Sequence, residues 1–222
     1  MADRALKIAV LGSGRMGRQL VRVIDEATDC QIAGIWSRST DTELATLLDG
    51  ADIAIDFTLP EATTEIVSAA VEQQTALVCG VTGLDPAAED AIAAAAQEIA
   101  ILYGRNMSRG IGVMTNLLRE GAIALGTDFK VEIRETHHIH KKDAPSGTAI
   151  ALREALGDAS INIESRREGE VLGDHRVRFA SASESIEIAH SVSDRRVFAE
   201  GAVAAARWLA DKPPGLYGMD DI

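Results

Sequence analysis

The sequence predicts an α/β protein: a doubly wound parallel sheet, with an inserted α+β domain built on a mixed sheet. Three observations carry this. Over the first hundred residues, short apolar runs alternate with stretches whose apolar residues recur at helical spacing, the rhythm of parallel strands joined by crossover helices. A glycine-rich turn, Gly12-Ser13-Gly14-Arg15-Met16-Gly17, lies between the first strand and the first helix. After residue 105 the rhythm changes to one long helix and then strand-like runs with no helix between them, which argues for mixed pairing with one solvated or subunit-facing side.

Taken in order, Leu6–Leu11 is a short apolar run bounded by the glycine turn and reads as a strand. Arg18–Ala27 places Leu20, Val21, Val23 and Ile24 at helical spacing. Gln31–Trp36 is a second strand, Thr42–Leu48 a short helix and Ala51–Phe57 a third strand. Glu61–Glu72 is a helix, Ala76–Cys79 a fourth strand, Pro86–Ala100 an alanine-rich helix and Ala100–Tyr103 a fifth strand. Gly110–Leu125 is a longer helix with an apolar stripe expected at Val113, Leu117, Leu118, Ala122 and Leu125. Lys130–Thr136 alternates like a strand, and a helix follows over Ala149–Leu156. Strands are expected around Ile161–Arg167, His175–Ala182 and Glu184–Val192, and the alanine-rich helix Arg196–Ala210 is expected to return to the first domain. The expected division is 1–105, 106–195 and 196–222.

A chain of 222 residues with 46% hydrophobic content can bury a core, as one large domain or two small ones. No apolar run reaches the length needed to cross a bilayer, and the N-terminus leads into a strand without a secretory signal. Cys30 and Cys79 sit in apolar strands and read as buried reduced thiols, so a cytoplasmic location is expected. The net charge of −12 disfavours nucleic acid and anionic membrane as partners. No metal centre is expected.

The turn has the spacing Gly12-x-Gly14-x-x-Gly17 between a strand and a helix, the context a Rossmann dinucleotide fingerprint requires. Gly12 permits the tight turn, Gly14 the close approach of a pyrophosphate, and Gly17 the packing of helix on strand. The end of the second strand reads the ribose. Trp36 is followed by Ser37, Arg38, Ser39 and Thr40, with no acid before Asp41. An acid there would hold the 2′-hydroxyl of NADH, whereas an arginine accepts the 2′-phosphate of NADPH. NADPH is therefore expected over NADH, the alternative being a solvated loop. Asp56-Phe57-Thr58-Leu59-Pro60 and Gly80-Val81-Thr82-Gly83 end the third and fourth strands, at the sheet edge where such folds bind ligands.

The run from Val131 to Ala149 gathers His137, His138, His140, Lys141 and Lys142 ahead of Pro145-Ser146-Gly147-Thr148, which opens a helix. A helix start presents unpaired N–H groups suited to a carboxylate or phosphate. Imidazole supplies a proton donor near neutral pH, and lysine a fixed cation. A solvated basic turn would explain Ser146 alone, as an ordinary N-cap. In so acidic a chain, the whole cluster points instead to a site for a small anion.

This run resembles the signature of the dihydrodipicolinate reductase family, Glu-[Ile/Val]-x-Glu-x-His-x-x-x-Lys-x-Asp-x-Pro-Ser-Gly-Thr-Ala. It is matched at Glu132, Ile133, Glu135, His137, Lys141, Asp143, Pro145, Ser146, Gly147, Thr148 and Ala149. Arg15-Met16-Gly17, Asp56-Phe57-Thr58-x-Pro60, Gly80-x-Thr82-Gly83, Arg105-Asn106-Met107-Ser108, Gly173-x-His175 and Phe198-Ala199-x-Gly201-Ala202 also look like family segments. The first glycine of the turn lies one residue closer than in the usual family pattern. Ser37-Arg38 stands where members using both cofactors carry Glu-Arg, and Val81 replaces a threonine. The resemblance implies a Rossmann domain with a substrate-binding and tetramerisation domain inserted, a homotetramer, and a dicarboxylate substrate: reduction of a cyclic imine dicarboxylate to tetrahydrodipicolinate. It implies His137 as general acid, with Lys141 stabilising developing charge, and His138, Ser146, Gly147 and Thr148 holding a carboxylate. NADPH or NADH would be held by Gly12, Gly14, Arg15, Met16, Gly17, Ser37, Arg38, Phe57, Thr58, Gly80, Thr82, Asn106 and Met107. His175 and His190 are taken as structural. Two other classes stay open: a related oxidoreductase acting on another substrate, such as an amino-acid dehydrogenase, and a non-catalytic cofactor-sensing protein.

Overall fold

The computed structural model describes residues 4–222, and the chain divides into two units. One is formed by the chain up to Ser108 together with Arg196–Ile222, the other by Arg109–Arg195. In chain order the elements begin with β1 (Leu6–Leu11), α1 (Arg15–Asp25), β2 (Cys30–Trp36), α2 (Leu44–Asp49), β3 (Ile53–Asp56) and α3 (Thr63–Glu72). Then follow β4 (Ala76–Cys79), α4 (Pro86–Ala95), β5 (Ala100–Tyr103), α5 (Arg109–Leu125), β6 (Lys130–His137) and α6 (Gly147–Ala155). The last are β7 (Ile163–Arg167), β8 (Asp174–Ala180), β9 (Ser185–Ser191), α7 (Arg196–Leu209) and β10 (Gly215–Tyr217).

The first unit is a six-stranded sheet in the order β10-β5-β4-β3-β1-β2, parallel at every pair. Strands covered on both faces must be apolar throughout, and the period-2 alternation divides their side chains between two cores. Ile8, Val10, Ile53 and Ile55 face one core with α1 and α7, while Ala9, Leu11 and Ala54 face the other with α2, α3 and α4. α7 buries Ala199, Ala202, Val203, Ala205, Ala206 and Leu209. Small side chains let this helix lie close to the strands, and its ends are tied by Arg196–Glu26 at 2.5 Å and Arg207–Asp29 at 2.6 Å. Such exposed pairs contribute little beyond registration.

The second unit is a mixed sheet, β7-β6-β8-β9, with β6 and β7 parallel and the other pairs antiparallel. One face packs on α5 and α6 through Ile111, Met114, Leu118, Ile133, Ala149, Leu152, Val177 and Phe179. The stripe expected on α5 is rotated. Ile111, Met114, Leu118, Ala122 and Leu125 face this core, whereas Val113 and Leu117 are 59% and 51% exposed. Spacings of three and four residues centred on Leu118 define one helix face, and Val113 and Leu117 fall beside it.

Other boundaries also move. α1 starts at Arg15 rather than Arg18, so the end of the glycine turn is already its first turn. α4 stops at Ala95, and a turn at residues 96–98 leads into β5. β10 was not expected, since three residues after Pro213-Pro214 carry no alternation.

Asp56 ends β3 with no exposed surface. Its Oδ1 accepts the Thr58 N–H at 2.8 Å, while Oδ2 has no partner among the described residues. Burial pushes its carboxyl up to about 6 against the opposing hydrogen bonds of Thr58. A carboxyl raised on folding favours the folded state below its unfolded pKa, and that stability is lost as pH rises through the folded value. Without nucleotide, the stability of Asp56→Asn relative to the parent should therefore increase between pH 4 and pH 7 by on the order of 3 kcal/mol. Urea melts of both proteins across this range measure it, and a constant difference would show that Asp56 stays ionised throughout.

Candidate active site

In the first unit the strands end level. Register places Trp36 beside Leu11, Leu11 beside Asp56, Asp56 beside Cys79, and Cys79 beside Tyr103. The hydrogen-bond ladder runs one step further: Gly12 N donates to Trp36 O at 2.8 Å, Phe57 N to Leu11 O at 2.9 Å, Gly80 N to Asp56 O at 2.9 Å, and Gly104 N to Cys79 O at 3.0 Å. All the segments singled out in this half of the sequence thus leave the sheet at one edge. β1 lies between β2 and β3, which connect outward in opposite directions, so a crevice opens there.

Gly12 has φ +108°, and a Cβ on it would lie 2.8 Å from Phe57 O. A Cβ on Gly17 would lie 1.8 Å from Gly12 O, so neither position admits another residue. Gly14 differs. It caps α1 without a side-chain hydrogen bond, and a Cβ there would meet nothing within 4 Å. Open space in front of an uncapped helix start fits the pyrophosphate of a dinucleotide. A cavity of about 330 Å³ lies here, lined by Gly12, Ser13, Gly14, Trp36, Ser37, Arg38, Phe57, Thr58, Leu59 and Ala62. The Ser37–Thr40 turn is closed by Ser37 N donating to Thr40 Oγ1 at 3.0 Å, with Arg38 exposed.

Other expected residues fall around this cavity rather than in its lining. Arg15 is exposed on the first turn of α1, and Met16 packs against the core. Gly80 packs against the Phe57 ring, where a Cβ would come within 2.5 Å, and Thr82 is exposed beyond it. Asn106 Oδ1 accepts Ser108 N at 2.9 Å. The Met107 side chain is buried in the core, so any contact it makes with a ligand is through its backbone.

In the second unit the inner face of the mixed sheet changes character along its length. Register aligns Ile163, Ile133, Val177 and Ile188 in one row, then Ser165, Glu135, His175 and His190 in the next, then Arg167 and His137. Glu135 has no exposed surface. Its carboxylate takes hydrogen bonds from His137 Nδ1, from Arg167 Nη1 at 3.0 and 3.1 Å, and from Ser146 N at 3.3 Å. Burial acts against its charge, but the bonds from His137 and Arg167 outweigh it and hold the carboxyl below the ordinary range. Burial also lowers the pKa of His137. Glu135 opposes that shift, and Lys141 and Arg167 reinforce it.

A Cβ on Gly173 would stand 3.2 Å from His137 Nε2, so the lack of a side chain there leaves this nitrogen uncrowded. His175 lies edge-on to His137 with ring centroids 5.2 Å apart, and burial pushes it down to about 3, neutral at physiological pH.

Beyond β6, Lys141 Nζ is 2.9 Å from Asp143 Oδ1. The buried Nδ1 of His138 has no partner among the described residues. Ser146 is buried and serves as N-cap of α6, its Oγ accepting Ala149 N at 3.2 Å. Gly147 and Thr148 form the first turn of that helix. Arg167 was not anticipated. It is the second of two adjacent arginines, and only the strand phase tells which one points inward.

Family models described as dihydrodipicolinate reductase, N-terminus and C-terminus, match residues 6–107 and 110–222. Among similar curated proteins, the 4-hydroxy-tetrahydrodipicolinate reductase of Nitrosospira multiformis is 37% identical, covering 98% of this chain and 97% of its own. That of Alkalilimnicola ehrlichii is also 37% identical, covering 97% and 98%. Among solved structures, dipicolinate-bound dihydrodipicolinate reductase from Paenisporosarcina sp. TG-14 superposes with a TM-score of 0.82 at 19% identity, covering 98% of this chain and 99% of its own. DAP dehydrogenase of C. glutamicum, in complex with DAP, gives 0.59 at 12% identity over 100% and 94%. At such identities the superpositions speak for the fold.

The glycine geometry separates two outcomes. Gly14→Ala should melt within about 1 °C of the parent while binding dinucleotide at least tenfold more weakly, because its methyl enters only the open space. Gly17→Ala should fail to fold or lose several degrees, because its methyl collides with backbone. Thermal melts and nucleotide titrations of the two variants check this.

Proposed function

The chain belongs to the dihydrodipicolinate reductase family, and we infer from that membership that it reduces 4-hydroxy-tetrahydrodipicolinate to tetrahydrodipicolinate, in the route to diaminopimelate and lysine, with a reduced pyridine nucleotide. The observation that carries the chemistry is the polar end of the inner sheet face. There an imidazole with one nitrogen held by a buried carboxylate lies in the electrostatic field of Lys141, on the chain that leads to the start of α6.

The reduced nicotinamide, when bound, supplies a hydride; the protein must supply a proton and a seat for two carboxylates. His137 is the proton donor, through Nε2, because Nδ1 is engaged by Glu135. Lys141 faces the dianionic substrate and the charge that develops on it. Gly147 and Thr148 offer backbone N–H groups at the start of α6, and Ser146 shapes that start as its cap. His138, which follows His137 at the end of β6, adds a hydrogen bond to the same carboxylate.

For the nucleotide, Gly12, Gly14 and the first turn of α1 hold the pyrophosphate. Arg38, at the rim of the cavity and with no acid before Asp41, favours the 2′-phosphate of NADPH over the ribose of NADH.

The substrate unit also carries the oligomer contact of a homotetramer. Its outer sheet face exposes Glu132, Arg134, Arg176, Arg178 and Glu187, opposite charges interleaved on neighbouring strands. A self-complementary face of this kind suits a second copy of itself.

Assay of NADPH oxidation with the product of dihydrodipicolinate synthase tests the reading, and no turnover with this substrate would overturn it. His137→Gln should cut turnover by roughly a hundredfold or more with nucleotide affinity unchanged; equal turnover removes His137 from the mechanism. Arg38→Ala should weaken NADPH by about tenfold or more while leaving NADH nearly unaffected, since a charged hydrogen bond contributes ~1.5–3 kcal/mol. Parallel losses for the two nucleotides would withdraw the preference. Sedimentation should give a mass four times that of the 23.5 kDa chain, and Arg178→Glu should lower it.

A further inference from the structure

Arg167 is the last residue of β7 and stands in register with His137. Its Nη1 reaches both oxygens of Glu135, its Nε donates to Lys141 O at 3.3 Å, and its Nη2 donates to Asp143 O. One guanidinium therefore joins the carboxylate behind His137 to the backbone of the loop that presents Lys141. Glu135 in turn holds His137 Nδ1 and Ser146 N, the residue that caps α6.

We propose that Glu135 and Arg167 are positioning residues for proton delivery: Glu135 fixes the tautomer and rotamer of His137, and Arg167 locks that carboxylate to the Lys141 loop, so that acid and lysine are held as one body. The proposal rests on the reading of His137 as the proton donor.

An ionised carboxylate only accepts, so its bond to Nδ1 requires a proton on that nitrogen. Nε2 is then the nitrogen that releases a proton from the imidazolium, and the one without a proton afterwards. Glycine at 173 places no Cβ against Nε2. Had the ring been free to flip, either nitrogen would present itself and the donated proton would have no fixed direction. Arg167 is suited to its part because a planar fork spans several acceptors at once, which an ammonium on a flexible stem does not. The charged and titratable groups facing His137 are Glu135 on its own strand, Lys141 on the following loop, Arg167 on β7 and His175 on β8. His175 is neutral near physiological pH, so Glu135, Lys141 and Arg167 set the electrostatics.

The pH profile of kcat/KM separates positioning from mere stabilisation. Activity requiring protonated His137 declines as pH rises through its pKa in the free enzyme. Glu135→Gln removes the charge that favours imidazolium, so this limb should move to lower pH by at least half a unit, with kcat down roughly tenfold to hundredfold. Arg167→Gln removes a charge that disfavours imidazolium, so its limb should move to higher pH. Arg167→Lys keeps the charge but loses the fork, and should hold the parental limb with kcat down about tenfold. If both Gln variants kept the parental profile and merely melted earlier, Glu135 and Arg167 would be structural and the proposal overturned.

A measurement without turnover keeps this apart from the reading of the reaction. Nitrogen-15 spectra of the histidines should show His137 as the Nδ1–H tautomer in the parent and lose that preference in Glu135→Gln. An Nε2–H tautomer in the parent would overturn the proposal even if the enzyme is active and the Glu135 variant does not fold. A parent with the Nδ1–H tautomer but no reductase activity would instead sink the proposed function while leaving the role of Glu135 standing.

Discussion

The second unit is organised around one constraint: Glu135 carries its charge where no water reaches it. An ionised group in such a place is tolerable only when donors surround it, and each donor then fixes the chain that bears it. His137 is held from its own strand, Arg167 from the neighbouring strand, and Ser146 N from the start of α6. The parallel pairing of β6 with β7 brings Arg167 level with His137, and the antiparallel pairing with β8 puts His175 beside Glu135. Removing the carboxylate would leave the Ser146 amide without its acceptor and the Arg167 guanidinium only its backbone carbonyls, a greater loss than the bonds themselves.

The two units handle charge by opposite means. At the sheet edge of the first, the seat proposed for the pyrophosphate is made from backbone: a helix start without a side-chain cap and glycines that stand aside, with Arg38 lining the cavity. In the second, cationic side chains gather near one buried acid. Both arrangements suit the anions proposed for them, yet the chain as a whole carries −12. A surface of that sign repels polyanions generally, so small anionic ligands are admitted by local geometry rather than by net attraction.

Most of this was legible in the residues because it depends on period and spacing. Strand and helix alternation gave the parallel sheet, and the break in rhythm after residue 105 gave the mixed one. The clustered histidines and lysines, and the family signature they resemble, singled out His137, Lys141 and the start of α6 as the proposed site. What escaped depends on phase or on partners far along the chain. Nothing in Arg166-Arg167 marks which one faces Glu135, because a two-residue period needs a register to anchor it. Val113 and Leu117 are apolar, but a rotation of one residue on a helix decides which apolar side chains are buried. Ser146 fitted two readings that do not exclude each other, since the Oγ that caps α6 by accepting Ala149 N keeps its own proton to donate. β10 is three residues whose place comes wholly from pairing with β5.

The first unit is assembled from both ends of the chain, with α7 and β10 supplied by residues after 195. During synthesis, then, β1 to β5 leave the ribosome with the face carrying Ile8, Val10, Ile53, Ile55 and Val78 covered by α1 alone until α7 emerges. The inserted unit, contiguous over Arg109–Arg195, is complete in the nascent chain before the unit that surrounds it. The N-terminal half is thus translated first and completed last, its sheet unfinished until residues after 195 are made. The half-covered apolar face and the open β5 edge are the aggregation-prone surfaces of that interval, and a stalled ribosome would expose them longest.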